Sequence, residues 1–291
     1  MQEIDLVTLG SGRRVAVRRL TRGDGRRTVV FCHPAPGAGN FDPNPEETAK
    51  REVTLIAVDR PGYGDSDPLP SDRWATVASA ADDLAEVLQE MQLGPVGVAG
   101  WSAGGRVALA LAARRPDLVD RVVILATPAP DELVPWIPPE EKQGLDAMRD
   151  LPPEEVHAML AGQLDEMLSQ GPSEARLAML GTSPDDEEAL AMPGAAGRLV
   201  GMLDAAFAQG ATGLAADLAG YTLRPWGFEP SQLQAKTLCL YGARDPILSS
   251  RHGRWWQASL PQARLEMVPN AGHLLVIPMW KRALSHLAPR R

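Results

Sequence analysis

The chain has 291 residues, 44% apolar and 23% charged, with a net charge of −8, an ordinary balance for a soluble globular protein. An acidic chain with no basic stripe interleaved with aromatics is not a nucleic-acid binder. No run of about 18 apolar residues is present, so no membrane partner is expected either.

Two short antiparallel strands open the chain, at residues 4–9 and 14–20, joined by a turn at Gly10-Ser11-Gly12. Thr28-Val29-Val30-Phe31-Cys32 is a buried strand running into His33-Pro34-Ala35-Pro36-Gly37-Ala38-Gly39-Asn40, a loop by its Pro and Gly content. The next strand, residues 53–58, ends in Asp59-Arg60-Pro61-Gly62-Tyr63-Gly64-Asp65-Ser66. Residues 76–91 carry Val77, Ala80, Ala81, Leu84, Val87, Leu88 and Met91 at helical spacing. Val96-Gly97-Val98-Ala99 then leads into Gly100-Trp101-Ser102-Ala103-Gly104, and residues 106–115 form an Ala/Leu-rich helix. Residues 121–126 are another buried strand. Strands that are apolar throughout and alternate with helices imply a mostly parallel, twisted sheet of about eight strands, covered by helices on both faces, an α/β fold.

After Ala126 the texture changes. Between Asp131 and Glu229 there are 18 acidic and five basic residues, whereas the rest of the chain has 19 acidic and 24 basic. About a hundred residues here show no strand pattern and carry proline-led helix starts at Pro152-Pro153-Glu154-Glu155 and Ser183-Pro184-Asp185-Asp186. The expected organisation is a core of residues 1–130 and 231–291, with an inserted all-helical cap at 131–230. Six of the ten methionines lie in this segment (Met148, Met159, Met167, Met179, Met192, Met202); most read as core filling, one or two as the wall of an adaptable apolar pocket. Its acidity reads as a solvated polar face. The sheet resumes at residues 236–241, ending at Gly242-Ala243-Arg244-Asp245. A helix follows at 251–259, a strand at 264–268 ending in Pro269-Asn270-Ala271-Gly272-His273, and a last helix at 278–287.

The chemistry gathers around Ser102. Strand, tight turn and helix, with a serine at the tip of Gly-x-Ser-x-Gly, is the layout of a nucleophile elbow, which thrusts a hydroxyl clear of the sheet toward a helix N-terminus. A serine needs a base to take its proton and an acid to hold that base in one tautomer. Asp245 and His273 stand at later strand ends and supply both, all three on the carboxyl edge of a parallel sheet. Asp131, after the strand ending at Ala126, is the alternative acid. Asp59 and Asp65 read as carboxylates bracing the neighbouring loop. Cys32 and Cys239 each lie near the end of an apolar run and read as buried thiols; with an N-terminus lacking signal-peptide order, they point to a cytoplasmic protein. There is no metal-ligand spacing, phosphate loop or nicotinamide fingerprint, so neither metal nor cofactor is expected.

These motifs together resemble the α/β-hydrolase superfamily: Gly100-Trp101-Ser102-Ala103-Gly104, Asp59-Arg60-Pro61-Gly62-Tyr63-Gly64-Asp65-Ser66, Gly242-Ala243-Arg244-Asp245 and Asn270-Ala271-Gly272-His273. The resemblance implies an oxyanion hole formed by the backbone N–H groups of Ala35 and Ala103. Pro34 stands where relatives often have glycine, and Pro36, lacking an N–H, cannot serve. His33 and Trp101 are the candidate substrate-binding residues, His33 also as a hydrogen bonder within the oxyanion loop and Trp101 also as packing for the cap. The implied activity is serine hydrolysis of a carboxylic ester or related acyl bond in a small molecule with an apolar acyl part. The same constellation serves proline-releasing peptidases, lactonases, carbon–carbon bond hydrolases, cofactor-free haloperoxidases and non-catalytic ligand-binding relatives. Aspartate-nucleophile relatives, such as haloalkane dehalogenases and epoxide hydrolases, are disfavoured by Ser102.

Overall fold

The apolar runs become the strands of one eight-stranded sheet, in a computed structural model that describes residues 3–24, 27–169 and 173–289. In chain order the strands are β1 (Glu3–Thr8), β2 (Arg14–Thr21), β3 (Thr28–Cys32), β4 (Thr54–Val58), β5 (Val96–Trp101), β6 (Val119–Leu125), β7 (Ala208–Ala211), which lies outside the sheet, β8 (Lys236–Gly242) and β9 (Ala263–Val268). The helices are α1 (Pro45–Arg51), α2 (Val77–Glu90), α3 (Ala103–Arg114), α4 (Pro139–Ala147), α5 (Pro153–Ser169), α6 (Glu187–Ala191), α7 (Ala195–Ala206), α8 (Thr212–Leu223), α9 (Ser250–Ser259) and α10 (Trp280–Leu287). The sheet order is β1-β2-β4-β3-β5-β6-β8-β9; β2 pairs antiparallel with β1 and β4, and the other pairs are parallel.

Successive side chains of a strand face opposite ways, so each central strand feeds two cores. Val30, Val98 and Val122 pack with Leu84 and Leu88 of α2, Val107 and Leu111 of α3 and Trp256 of α9. Their neighbours Phe31, Ala99 and Val123 pack on the other face with Trp280 and Leu284 of α10. Thr76 and Ser79 close a capping box at the start of α2. Helix α1 was not foreseen. Its signals are terminal rather than periodic: Asn44 caps it, Pro45 opens it, and of its seven residues only Thr48 is buried.

Between β6 and β8 the chain leaves the sheet and runs through α4–α8. Val156, Leu160 and Leu164 of α5 share a third core with Ala215, Ala219 and Leu223 of α8 and with Tyr63 of the loop after β4. An all-helical insertion needs one correction: β7 is extended. Gly210 sits at φ 68°, outside the helical region, and the Asp165 carboxylate accepts the Ala211 N–H at 2.8 Å, an alternative to a helical bond at that point.

Candidate active site

Ser102 occupies the tip of the β5–α3 turn at φ 53°, ψ −122°, a region that side chains rarely adopt, that costs about 1–3 kcal/mol and that persists only where the surroundings enforce it. The surroundings do. A Cβ on Gly100 would lie 2.4 Å from the Gly104 carbonyl oxygen, and one on Gly104 would lie 2.2 Å from that of Cys32. Only glycines let α3 start this close to β5 and β3.

His273 follows β9 and is almost fully buried. Its Nδ1 lies 2.8 Å from Oδ2 of Asp245, while Asp245 Oδ1 accepts the backbone N–H groups of Ile247 and Leu248, each at 2.9 Å. Burial works to raise the Asp245 pKa, but the His273 hydrogen bond and charge and the two amides outweigh it and hold the carboxyl below its usual range. An ionised Asp245 fixes the proton on Nδ1 and leaves Nε2 as the basic nitrogen. Ser102 and His273 line one cavity of about 170 Å³. Among the described residues the Ser102 hydroxyl makes no hydrogen bond; serine–histidine contacts commonly tighten only when substrate arrives. Asp131 is occupied elsewhere. It accepts the N–H groups of Trp136 and Ile137 and pairs with Lys142 at 2.8 Å.

Ala35 and Ala103 line the same cavity as Ser102. The loop that carries Ala35 is clamped by Arg60, whose guanidinium donates to the carbonyls of His33 at 2.5 Å and Pro34 at 2.8 Å. The other edge of Arg60 meets Asp217 of α8 at 3.0 and 2.7 Å, and Tyr63 donates its hydroxyl to the same carboxylate oxygen at 3.0 Å. Arg60 and Asp217 are both buried. Burial alone would lower the Arg60 pKa; the Asp217 charge overrides it and raises the value further.

Two expectations are corrected here. His33 does not face the cavity: it is fully buried, its Nε2 accepts the Arg60 backbone N–H at 3.2 Å, and Nδ1 donates to the Pro34 carbonyl at 2.8 Å. Burial, then the Arg60 charge, pushes its pKa well below 6.5, so it is a neutral brace inside the loop. Trp101 is not a substrate-side residue either. As the last residue of β5 it points into the second core, beside Phe41, and its indole donates to the His273 carbonyl at 3.1 Å. It positions the histidine loop.

Sequence reasoning missed a second support from the inserted segment. Asp186, buried, accepts the N–H of Leu274 at 2.8 Å with Oδ1 and that of Ser183 at 3.0 Å with Oδ2. It stands in the run Asp185-Asp186-Glu187-Glu188, where nothing in the pattern marks one acid as buried. Asp217 is likewise a lone acid in an apolar helix, and that isolation was the available signal. Of the six methionines in the segment, Met179 lines the cavity, Met202 is core, and Met159 and Met167 are exposed.

The family model described as the alpha/beta hydrolase fold matches residues 27–278. A pimeloyl-[acyl-carrier protein] methyl ester esterase from Chromobacterium violaceum is 30% identical over 259 residues, covering 87% of this chain and 89% of that protein. Among solved structures, a hydrolase from Pseudomonas aeruginosa superposes with a TM-score of 0.73 at 22% identity, over 99% of both chains. A thermophilic esterase from Thermogutta terrifontis does so with a TM-score of 0.67 at 22% identity, over 97% of this chain and 96% of that one. At those identities the structures share the fold, and together with the family match and the esterase relative they establish that this chain is an enzyme of the α/β-hydrolase family.

Proposed function

We propose that the protein cleaves a carboxylic ester or related acyl bond with Ser102 as nucleophile, His273 as general base and acid, and Asp245 as the residue that orients it. The observation that carries this reading is the 2.8 Å Asp245–His273 hydrogen bond beside the strained turn of Ser102 on one cavity wall. His273 Nε2 takes the hydroxyl proton as Ser102 Oγ attacks the acyl carbon, and returns it to the leaving alcohol. The N–H groups of Ala35 and Ala103 then face the oxyanion, with the positive end of α3 behind Ala103. Water, deprotonated by the same imidazole, then attacks the acyl carbon; the acyl–Oγ bond breaks, the acid leaves and the proton returns to Ser102 Oγ. Residues 131–230 act as a cap and furnish Trp136, Met179, Leu180 and Tyr221 to the cavity, which suits an apolar acyl part. The esterase relative supports the ester class. A cytoplasmic setting agrees with two buried, unpaired cysteines.

A fluorophosphonate probe and a short p-nitrophenyl ester test the reading. The intact protein is expected to take up label and turn over the ester, and Ser102→Ala and His273→Ala each to lose activity by several orders of magnitude. No label on the intact protein, with Ser102→Ala behaving the same, would reduce it to a non-catalytic binding member of the fold.

A further inference from the structure

One helical turn beyond the nucleophile, α3 carries a buried cation that the mechanism above does not use. Arg106 is only 4% exposed and lines the wall shared by the Ser102 cavity and an adjoining one of about 470 Å³. Its guanidinium lies 4.6 Å from the ring centre of Trp226 and 5.6 Å from that of Trp136. Among the described residues it makes no ion pair, and its one hydrogen bond is Nε to the Pro128 carbonyl, long at 3.5 Å. Buried arginines are ordinarily paired. Two aromatic faces and one carbonyl leave the planar edge of this one without a bonded counter-charge, and burial pulls its pKa down to about 10, still protonated at neutral pH. Beside it, the Tyr221 hydroxyl is buried with no hydrogen-bond partner among the described residues, and so is the Trp136 indole nitrogen. Both residues line the two cavities with Arg106.

No nearby carboxylate bonds this guanidinium: Glu132 and Asp131 favour its charged form only from a distance, and Glu229, on the adjoining cavity, makes no ion pair with it among the described residues. Asp217, in the Ser102 cavity, is consumed by Arg60 and Tyr63. Asp131 is consumed by Lys142 and two amides, and Glu132 is exposed. We infer that Arg106, assisted by Tyr221, binds a carboxylate on the substrate remote from the scissile bond, so that the preferred substrate is the ester of a molecule that also bears a free acid. One guanidinium with one phenol matches a monoanion held edge-on. Arg106 stands in the first turn of α3 and lines the same cavity as Ser102, which suits a short linker between ester and acid. This inference rests on the hydrolase reading, but its binding test does not.

The decisive substrates are the monomethyl and dimethyl esters of straight-chain diacids from succinic to pimelic acid, compared by kcat/KM at neutral pH. The half-ester is expected to be preferred by about tenfold to a hundredfold, the range of a charge-assisted hydrogen-bonded pair. Arg106→Met is expected to bring the ratio near unity, Arg106→Lys to retain part of it, and Tyr221→Phe to reduce it severalfold. No half-ester preference in the intact enzyme, or a preference that survives Arg106→Met, overturns the inference. Where Arg106→Met does not fold, the Lys and Phe variants carry the comparison, and unchanged ratios in both overturn it. Calorimetric binding of the ketone analogue of the half-ester to Ser102→Ala is independent of turnover. Saturable binding that is lost with Arg106→Met supports the inference, and no binding overturns it, whether or not either ester is hydrolysed. Absence of hydrolysis and of probe labelling with binding intact would count against the hydrolase reading alone.

Discussion

Replacing Asp217 with leucine would leave Arg60 charged, buried and without its counter-ion. Three hydrogen bonds go at once: Arg60 Nε at 3.0 Å, an Arg60 terminal nitrogen at 2.7 Å and the Tyr63 hydroxyl at 3.0 Å, all to one oxygen. Removing one partner of a buried ion pair costs about 3–5 kcal/mol, because the remaining charge keeps its desolvation penalty. A chain of 291 residues unfolds with an entropy of about 0.6 kcal/mol per degree, so the melting temperature should fall by about 5–8 °C. Asp217→Asn, which keeps an acceptor but not the charge, should fall by less. The same guanidinium holds the carbonyls of His33 and Pro34, so loss of its anchor should also loosen the loop that presents the Ala35 N–H. Turnover of a neutral p-nitrophenyl ester should drop by about tenfold to a hundredfold, short of the full loss of an oxyanion donor. Calorimetric melting and steady-state kinetics on the purified variants read both effects. A melting point within about 2 °C of the parent, with unchanged turnover, would refute the idea that this pair ties the inserted segment to the loop carrying Ala35.

Other outcomes follow from the same geometry. Asp245→Asn should lower kcat by about 10³–10⁴-fold, as expected when an orienting acid no longer fixes the imidazole tautomer, whereas Asp131→Asn should leave kcat within about threefold; equal losses would mean the acid is misassigned. Gly104→Ala should yield little folded protein, since its Cβ would lie 2.2 Å from the Cys32 carbonyl oxygen and 2.4 Å from that of His33; soluble, active protein in expression trials would contradict that packing. Stability should decline as pH falls below about 6.5. Burial depresses the folded-state pKa of His33 well below that value and of His252 to about 4, so the unfolded chain takes up protons that the folded one does not. Thermal melts from about pH 7 to about pH 5 should show a loss of several degrees, and a flat profile would argue against neutral buried imidazoles.

The sequence was most legible where local signals and periodicity agree. Continuous apolar runs, such as those that form strand β3 (Thr28–Cys32) and the elbow strand β5, could bury themselves only in a two-sided parallel sheet. Gly100 and Gly104 around Ser102 supplied the context of the elbow, and the strand-end residues Asp245 and His273 were the candidates whose side chains the structure brings to 2.8 Å. Helix α1 escaped because it is nearly all polar and has no broad buried face to create a period. His33 and Trp101 are read by adjacency to Ala35 and Ser102. Adjacency in the chain does not fix direction: in β5 alternate residues face opposite cores, and Trp101 falls on the side away from the cavity.

Sequence by itself therefore determined the strands of the sheet and the strongly periodic helices between them, the turn that exposes Ser102, and the set of candidate groups, because each depends on residues within a few positions of one another. Only the tertiary structure decided which acids are buried and what they hold. Asp186 and Asp217 look like any other carboxylates of an acidic segment, yet one secures the His273 loop across 88 residues of chain and the other the Arg60 clamp across 157. Whether a charge is solvated or paired depends on what packs over it, and that is set by contacts far apart in the chain. The same holds for Arg106, an ordinary helix residue until Trp136 and Trp226 fold against it and leave it lining the cavity with no bonded counter-charge among the described residues.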